Sequence, residues 1–385
     1  MVDPVNVAFE AAVSQKPVSL AEMALLFLKL GTIAFGGPAA HIAMMEDEFV
    51  RRRKWLTRQE FLDRLGASNL IPGPSSTEMA IHIGFSKRGW QGLVVAGCCF
   101  IVPAAVLVSL IAAAYVRYGS LPQVGRILYA VKPVVIAVVA QASWSLARSA
   151  VKSVWLAVIG TVGIVAYLSH VQELLLLAAA GIAAAAPVLA RTRPKAAMLL
   201  LAPMAAAASK PDAVSFGLSR LFLTFLKIGS VLFGSGYVLL AFLRSDFVGR
   251  LHWLTEKQLL DAVAVGQVTP GPVFTTATFI GYLVGGTRGA AVATVAIFLP
   301  AFIFVAASGP LIPRIRRSAI AGAFLDGVIV GSLALMGVVA WQLGRAAIVD
   351  ATTVAIALVS AVLLFRFRVN SAWLVIGAAL VGWAV

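Results

Sequence analysis

The chain has 385 residues, 61% of them hydrophobic and only 12% charged, a composition that cannot wrap an apolar core in a water-facing surface and so excludes an ordinary soluble domain. With a mean hydropathy of +0.95 it belongs in a lipid bilayer. The formal net charge of +15, from 31 Lys and Arg against 16 Asp and Glu, reads as basic loops on a cytoplasmic face and not as a nucleic-acid surface.

Residues 1–18 form a short extramembrane tail, lacking the basic start, apolar run and small-residue cleavage site of a secretory signal. Apolar segments follow at about Leu20 to Met45, Phe61 to Phe85, Trp90 to Val116, Val124 to Ala147, Val154 to Leu168 and Val171 to Ala190. Most are long enough to cross a bilayer as helices. Pro72-Gly73-Pro74 interrupts the second segment, a backbone break that belongs inside protein or beside water and not against lipid. A first repeat (19–190) thus precedes an expected cytoplasmic linker (191–215) and a second repeat (216–385).

The repeat is read from self-similarity. LFLKLGTIAFGGP at Leu26 to Pro38 returns as TFLKIGSVLFGSG at Thr224 to Gly236, an offset of 198. At the same offset Trp55-Leu56-Thr57 meets Trp253-Leu254-Thr255, Asp63 meets Asp261, and the first Pro-Gly-Pro meets Pro270-Gly271-Pro272. About 19 of the 51 positions from Phe27 to Thr77 are identical, more than shared apolar bias gives. After one deletion the offset is 197, pairing Gly84 with Gly281 and Pro103 with Pro300.

Loop charge selects a topology. If each Pro-Gly-Pro segment enters and leaves on one side, each half crosses five times, and one face holds about 18 basic loop residues against about 8 on the other; if it crosses, the division is about 15 to 11. The re-entrant arrangement is the more asymmetric. It predicts an all-α polytopic membrane protein of about ten transmembrane helices in two inverted-topology repeats, each with a re-entrant Pro-Gly-Pro hairpin.

Thr57 with Glu60, and Thr255 with Gln258, fit capping boxes that open the first half-helix of each hairpin, and Ser75 with Glu78 fits a third after the turn. Amides at such helix starts carry partial positive charge. With Ser75, Ser76 and Thr77, or Thr275 and Thr276, they could replace water around an anion. Lys29 and Lys227 hold equivalent places within the first apolar segment of each half. An ammonium there costs about 3 kcal/mol, and attraction of an anion is favoured over snorkelling to the interface. Gly36, Gly37 and Gly234 permit close helix contact or a further break.

Glu78, Asp63 and Asp261 are the candidates for proton coupling, although Glu78 has its cap and the two aspartates are more readily paired with Arg52 and Arg250. Cys98 and Cys99 are adjacent in sequence, and His41, His82, His170 and His252 lack ligand spacing. No cofactor, metal or enzyme site is expected.

FGGP, WLT and IPGP, repeated as FGSG, WLT and TPGP, resemble the chromate ion transporter family in its two-domain form, over nearly the whole chain. The resemblance implies multi-pass residence in the bacterial inner membrane and export of chromate, with sulfate as a chemically similar oxyanion. The expected partners are therefore chromate, sulfate as an alternative, and the lipid bilayer; two copies could also pair as a homodimer. Ser235-Gly236 replaces the second Gly-Pro, which places a symmetric role for Pro38 in doubt.

Overall fold

The computed structural model describes residues 18–35, 37–68, 70–119, 121–169, 171–192, 216–233, 238–367 and 369–384. The described residues are helical, joined by short turns, with no strand among them. In the first half α1 (Leu20–Ile33) is followed by α2 (Gly37–Glu46), which runs on into a π-helical turn, Asp47–Arg52. Then come α3 (Arg58–Ser68), α4 (Ser75–Tyr118), α5 (Pro122–Ala150), α6 (Val154–Leu168) and α7 (Glu173–Thr192).

The second half repeats this series as α8 (Leu218–Val231), α9 (Leu239–Leu243) with its π turn Arg244–Arg250, α10 (Glu256–Val268), α11 (Thr276–Arg317), α12 (Ala319–Ala347), α13 (Ala351–Arg366) and α14 (Ser371–Ala384). The one-residue deletion falls at the 3-10 turn Val273–Thr275. From there the offset of 197 reproduces both ends of α5 in α12. The linker, apart from its first two residues, lies outside the described residues.

The segment expected as the first span does not run straight. Its helix stops at Ala34, whose backbone is extended, and α2 returns beside α1. Glu22 near the start of α1 is ion-paired with Arg53 beyond the π turn, Lys29 with Glu48, and the Phe27 and Phe49 rings lie 5.1 Å apart. The second half matches this fold-back, with Phe225 and Phe247 at 4.8 Å and Phe216 and Trp253 at 5.1 Å. Arms of 14 and 10 residues reach only about 21 and 15 Å at 1.5 Å per residue, short of a 30 Å hydrocarbon core.

The Pro-Gly-Pro segments fold back in the same way. Lys87, at the end of the arm 75–87, is close enough for its charge to act on Glu60 at the start of α3, and Arg64 acts on His82. In the second half, a methyl at Gly285 would fall 2.8 Å from the Phe216 ring that touches Trp253, so entry and exit share one end.

A second reversal divides α4 at Arg88 and Gly89, and α11 at Gly285 and Gly286. The arms 75–87 and 90–118 then press together so closely that a side chain on Gly84 or Gly92 would strike the other's carbonyl oxygen; Gly281 and Gly289 repeat the contact. Only glycine permits this approach.

The remaining helices are shared between halves. The first half's α5 packs on α13 and α14 of the second, while α12 packs on α6 and α7 of the first; α5 also meets α12, and α4 meets α11. The equivalent helices α5 and α12 run in opposite directions. Lys152, just after α5, pairs with Asp326 near the start of α12 at 2.7 Å, and Tyr129 near the start of α5 donates to Asp350 just after α12. Among the described residues five helices are long and apolar enough to cross a membrane by length and composition, and 154–168, 351–366 and 371–383 are shorter apolar helices. Their outer surfaces expose Leu110, Trp144, Trp341 and Trp373, as lipid contact requires and water would penalise.

Candidate transport site

The tips of the folded-back segments meet in pairs across the two halves. Where α1 and α8 stop, Ala34 and Leu232 are left with extended backbones, and their carbonyls need donors. Gly73 donates its N–H to Leu232 O at 2.8 Å, and Gly271 donates to Ala34 O at 2.8 Å. Each Pro-Gly-Pro turn therefore closes the break in the first helix of the other half, which resolves the backbone problem that an interrupted helix poses in lipid. Gly73 and Gly271 have φ of +141° and +88°, a region that favours glycine. Gly271 lies against Ala104 of α4 and the Gly31 carbonyl, while Gly73 lies against the Glu78 carboxylate, and a methyl group on Gly73 would come 3.8 Å from the Ala301 side chain of α11.

The predicted polar residues separate into used and unused groups. Ser76 shares a hydrogen with His41 Nδ1 at 3.2 Å, and His41 Nε2 lies 3.0 Å from Ala34 O. With a carbonyl as partner, Nε2 carries the proton and Nδ1 accepts from the serine. Thr275 and Thr276 give their hydroxyls to Pro272 O and Val273 O, each at 2.8 Å, so they are committed to their own turn and do not point donors at an anion. Thr77 Oγ1 is buried without a partner. Pro72 and Ser75 are half-buried; Pro74, Pro270 and Pro272 are buried. Gly36 and Gly234 lie outside the described residues, and Gly37 opens α2 at a φ of +76°.

The capping boxes at Thr57 with Glu60 and Thr255 with Gln258 form as expected. The third does not. Pro74 takes the cap position, Ser75 is already helical, and the Glu78 carboxylate is fully buried with neither oxygen hydrogen-bonded. The capping role that would have explained an acid at this place is therefore absent. Counting back from the hairpin, its equivalent is Thr275 and not Thr276, because the deletion lies in the turn.

The expected lysines and aspartates have other partners. Lys29 is ion-paired with Glu48 at 3.9 Å and Lys227 with Asp246 at 2.5 Å, so each has a carboxylate offsetting its attraction for anions. Arg52 and Arg250 pair with Asp47 and Asp246 on their own π turns, where local acids outcompete Asp63 and Asp261. Asp63 accepts from Gln59 Nε2 at 3.2 Å. Asp261, fully buried, joins Lys132 of α5 at 3.0 Å and accepts from Tyr115 at 2.8 Å, a cross-half triad. Sequence reading missed Lys132. Its signal was a cation well inside the apolar run Val124 to Ala147, beyond Arg126 near the start of that run, and Ile329 stands at the repeat position, so no internal match drew attention to it.

Outside the crossing helices, burial alone would raise the Glu60 carboxyl, but the Thr57 N–H, the Arg64 charge, the Thr57 hydroxyl and Lys87 together hold it below its ordinary value. Beside the first turn a cavity of about 280 Å³ is lined by Ser68, Ser75, Ser149, Lys152 and Asp326 among others.

Long apolar helices around buried, broken ones define a multi-pass membrane protein of the transporter class. The profile of the family described as Chromate transporter matches residues 21–185 and again 219–383, and the chain belongs to that family. It is 33% identical over 372 residues to a chromate transport protein of Cupriavidus metallidurans, covering 94% of this chain and 92% of that one. It is 32% identical over 389 residues to a chromate transport protein of Pseudomonas aeruginosa, covering 96% and 93%. An uncharacterised transporter of Bacillus subtilis, YwrA, is 28% identical over 141 residues, 36% of this chain and 79% of that one. No solved structure matches the chain.

Proposed function

We propose that the protein exports chromate from the cytoplasm across the inner membrane of a bacterium, driven by membrane potential, at the paired hairpin tips. The observation that carries this reading is the exchanged bond pair, Gly73 to Leu232 and Gly271 to Ala34, in a chain whose relatives are named chromate transport proteins. Helix starts at Ser75 and Val273 bring amide dipoles to these tips, suited to an oxyanion. A largely buried cation of the region is Lys132, held by Asp261. A dianion leaving a negative interior gains roughly 4.6 kcal/mol per 100 mV, twice the single-charge value, so potential alone suffices for export.

In the membrane arrangement we favour, the described residues make eight crossings, by the five long and three shorter apolar helices, and form four re-entrant hairpins. Those of the first half enter from one face and those of the second from the other. The antiparallel pairing of α5 with α12 supports inversion, and the basic residues Arg51, Arg52, Arg53, Lys54, Arg58, Lys87, Arg88, Arg148 and Lys152 then share the cytoplasmic face. Thr192 then lies on the cytoplasmic face and Phe216 on the opposite one, which departs from the expectation that both ends of the linker are cytoplasmic.

Purified protein in proteoliposomes, with an imposed potential, should carry chromate saturably, and competition by sulfate and molybdate should rank the anions. The relatives' names give sulfate no support. Absence of potential-dependent chromate flux in folded protein would overturn the reading.

A further inference from the structure

The first Pro-Gly-Pro hairpin carries a row of polar groups that its repeat lacks. Glu78 and His82 are one helical turn apart on the same face of the arm 75–87. Neither Glu78 oxygen has a hydrogen-bond partner, nor has His82 Nε2, and the two residues are 0% and 8% exposed. Across the hairpin, Arg64 acts on His82, and Arg64, Glu60 and Lys87 act on one another at the open end. The row thus runs from the Gly73 tip through Glu78 and His82 to the mouth where α3 begins.

The second hairpin has the same fold without this row. At the matching places stand Thr275, Phe279, Ala262, Gln258 and Val284. The hairpin can therefore be built without a titratable residue at any of these places. A buried polar group left unpaired is destabilising, so stability does not account for Glu78 and His82. A carboxyl and an imidazole in series toward water are the components of a proton relay.

We propose that Glu78 carries the proton exchanged during transport and that His82 conducts it to the mouth of the first hairpin, the cytoplasmic face in the arrangement above. The O–H bond of protonated Glu78 breaks, and the proton passes through one water to His82 Nε2. The imidazolium then releases a proton to water between Arg64, Glu60 and Lys87, which restores neutral His82 and leaves a Glu78 carboxylate. The other titratable group facing this seam is His41, which reaches Ser76 from α2; on the adjoining arm Cys98 is exposed and Cys99 only partly buried, and α11 presents apolar Ala301 at the tip. The proposal rests on the chromate-transport reading.

The test uses proteoliposomes with an entrapped pH dye and labelled chromate. Wild-type protein should move protons when chromate moves. Glu78→Gln should abolish that proton flux. His82→Phe, which copies Phe279, should slow it at least tenfold yet retain chromate–chromate exchange, which needs no net proton movement; His82→Gln serves as a second variant if the first fails to fold. Chromate transport by the wild type without proton movement, or wild-type proton flux in folded variants, overturns the relay alone. Loss of all chromate flux in the wild type overturns the transport reading instead.

Discussion

Gly271 has no room for a side chain: its φ is +88°, and a methyl group would come within 2.6 Å of the Ala104 side chain. Gly271→Ala should cost about 1–3 kcal/mol from backbone strain alone, read as a lowered melting temperature in detergent, together with loss of transport. Lys132 makes a different kind of demand. Lys132→Met strands the buried Asp261, a loss of about 3–5 kcal/mol for broken buried pairs, and adding Asp261→Asn should recover most of it in the same melt. Recovery of stability without recovery of transport would separate a structural pair from a transport residue. The Lys227 and Asp246 pair admits the same double-variant cycle. If Lys227 attracts anions, the neutral pair Lys227→Met with Asp246→Asn should remain impaired; if the pair is structural, it should transport. At this scale the sequence was most misleading at Glu78, where a Ser-x-x-Glu spacing imitates a cap that the preceding proline pre-empts.

At the scale of elements, the Pro-Gly-Pro breaks and the capping boxes at Thr57 and Thr255 were legible, because each is a local signal in residue type and spacing. The return of α2 along α1 was not. An apolar window from Leu20 to Met45 satisfies the length of a span, and only tertiary contacts such as the pairing of Glu22 with Arg53, 31 positions apart, reveal the reversal. Cysteines at Glu22 and Arg53, with Cys98 and Cys99 replaced by serine, should therefore be joined by a short cross-linker. In a straight helix those positions would stand about 46 Å apart at 1.5 Å per residue, and no cross-link would form. The hairpins of α4 and α11 rest on facing glycines. Gly84→Leu should pry apart the arms 75–87 and 90–118, with reduced yield of folded protein and no stable transport activity.

For the whole molecule, the duplication could be read from the sequence, but the exchange of helices between halves could not, since it depends on contacts such as Lys152 with Asp326 and Tyr129 with Asp350 that no local pattern encodes. The inverted arrangement predicts that exposed equivalent positions Arg51 and Gly249, replaced singly by cysteine in a chain lacking Cys98 and Cys99, react with an impermeant thiol reagent from opposite sides of the membrane. Labelling of both from one side would exclude inversion.

The crossed backbone bonds also impose a timetable on biosynthesis. Gly73 finds its acceptor at Leu232, 159 residues later, and Ala34 finds its donor at Gly271, 237 residues later. At a synthesis rate of roughly 5–20 residues per second, the first half waits about 10–50 s in the membrane with its tips unfinished. Its broken helices must be sheltered over that interval, by the insertion machinery or by water, and a ribosome pause between the halves should increase degradation of the nascent chain.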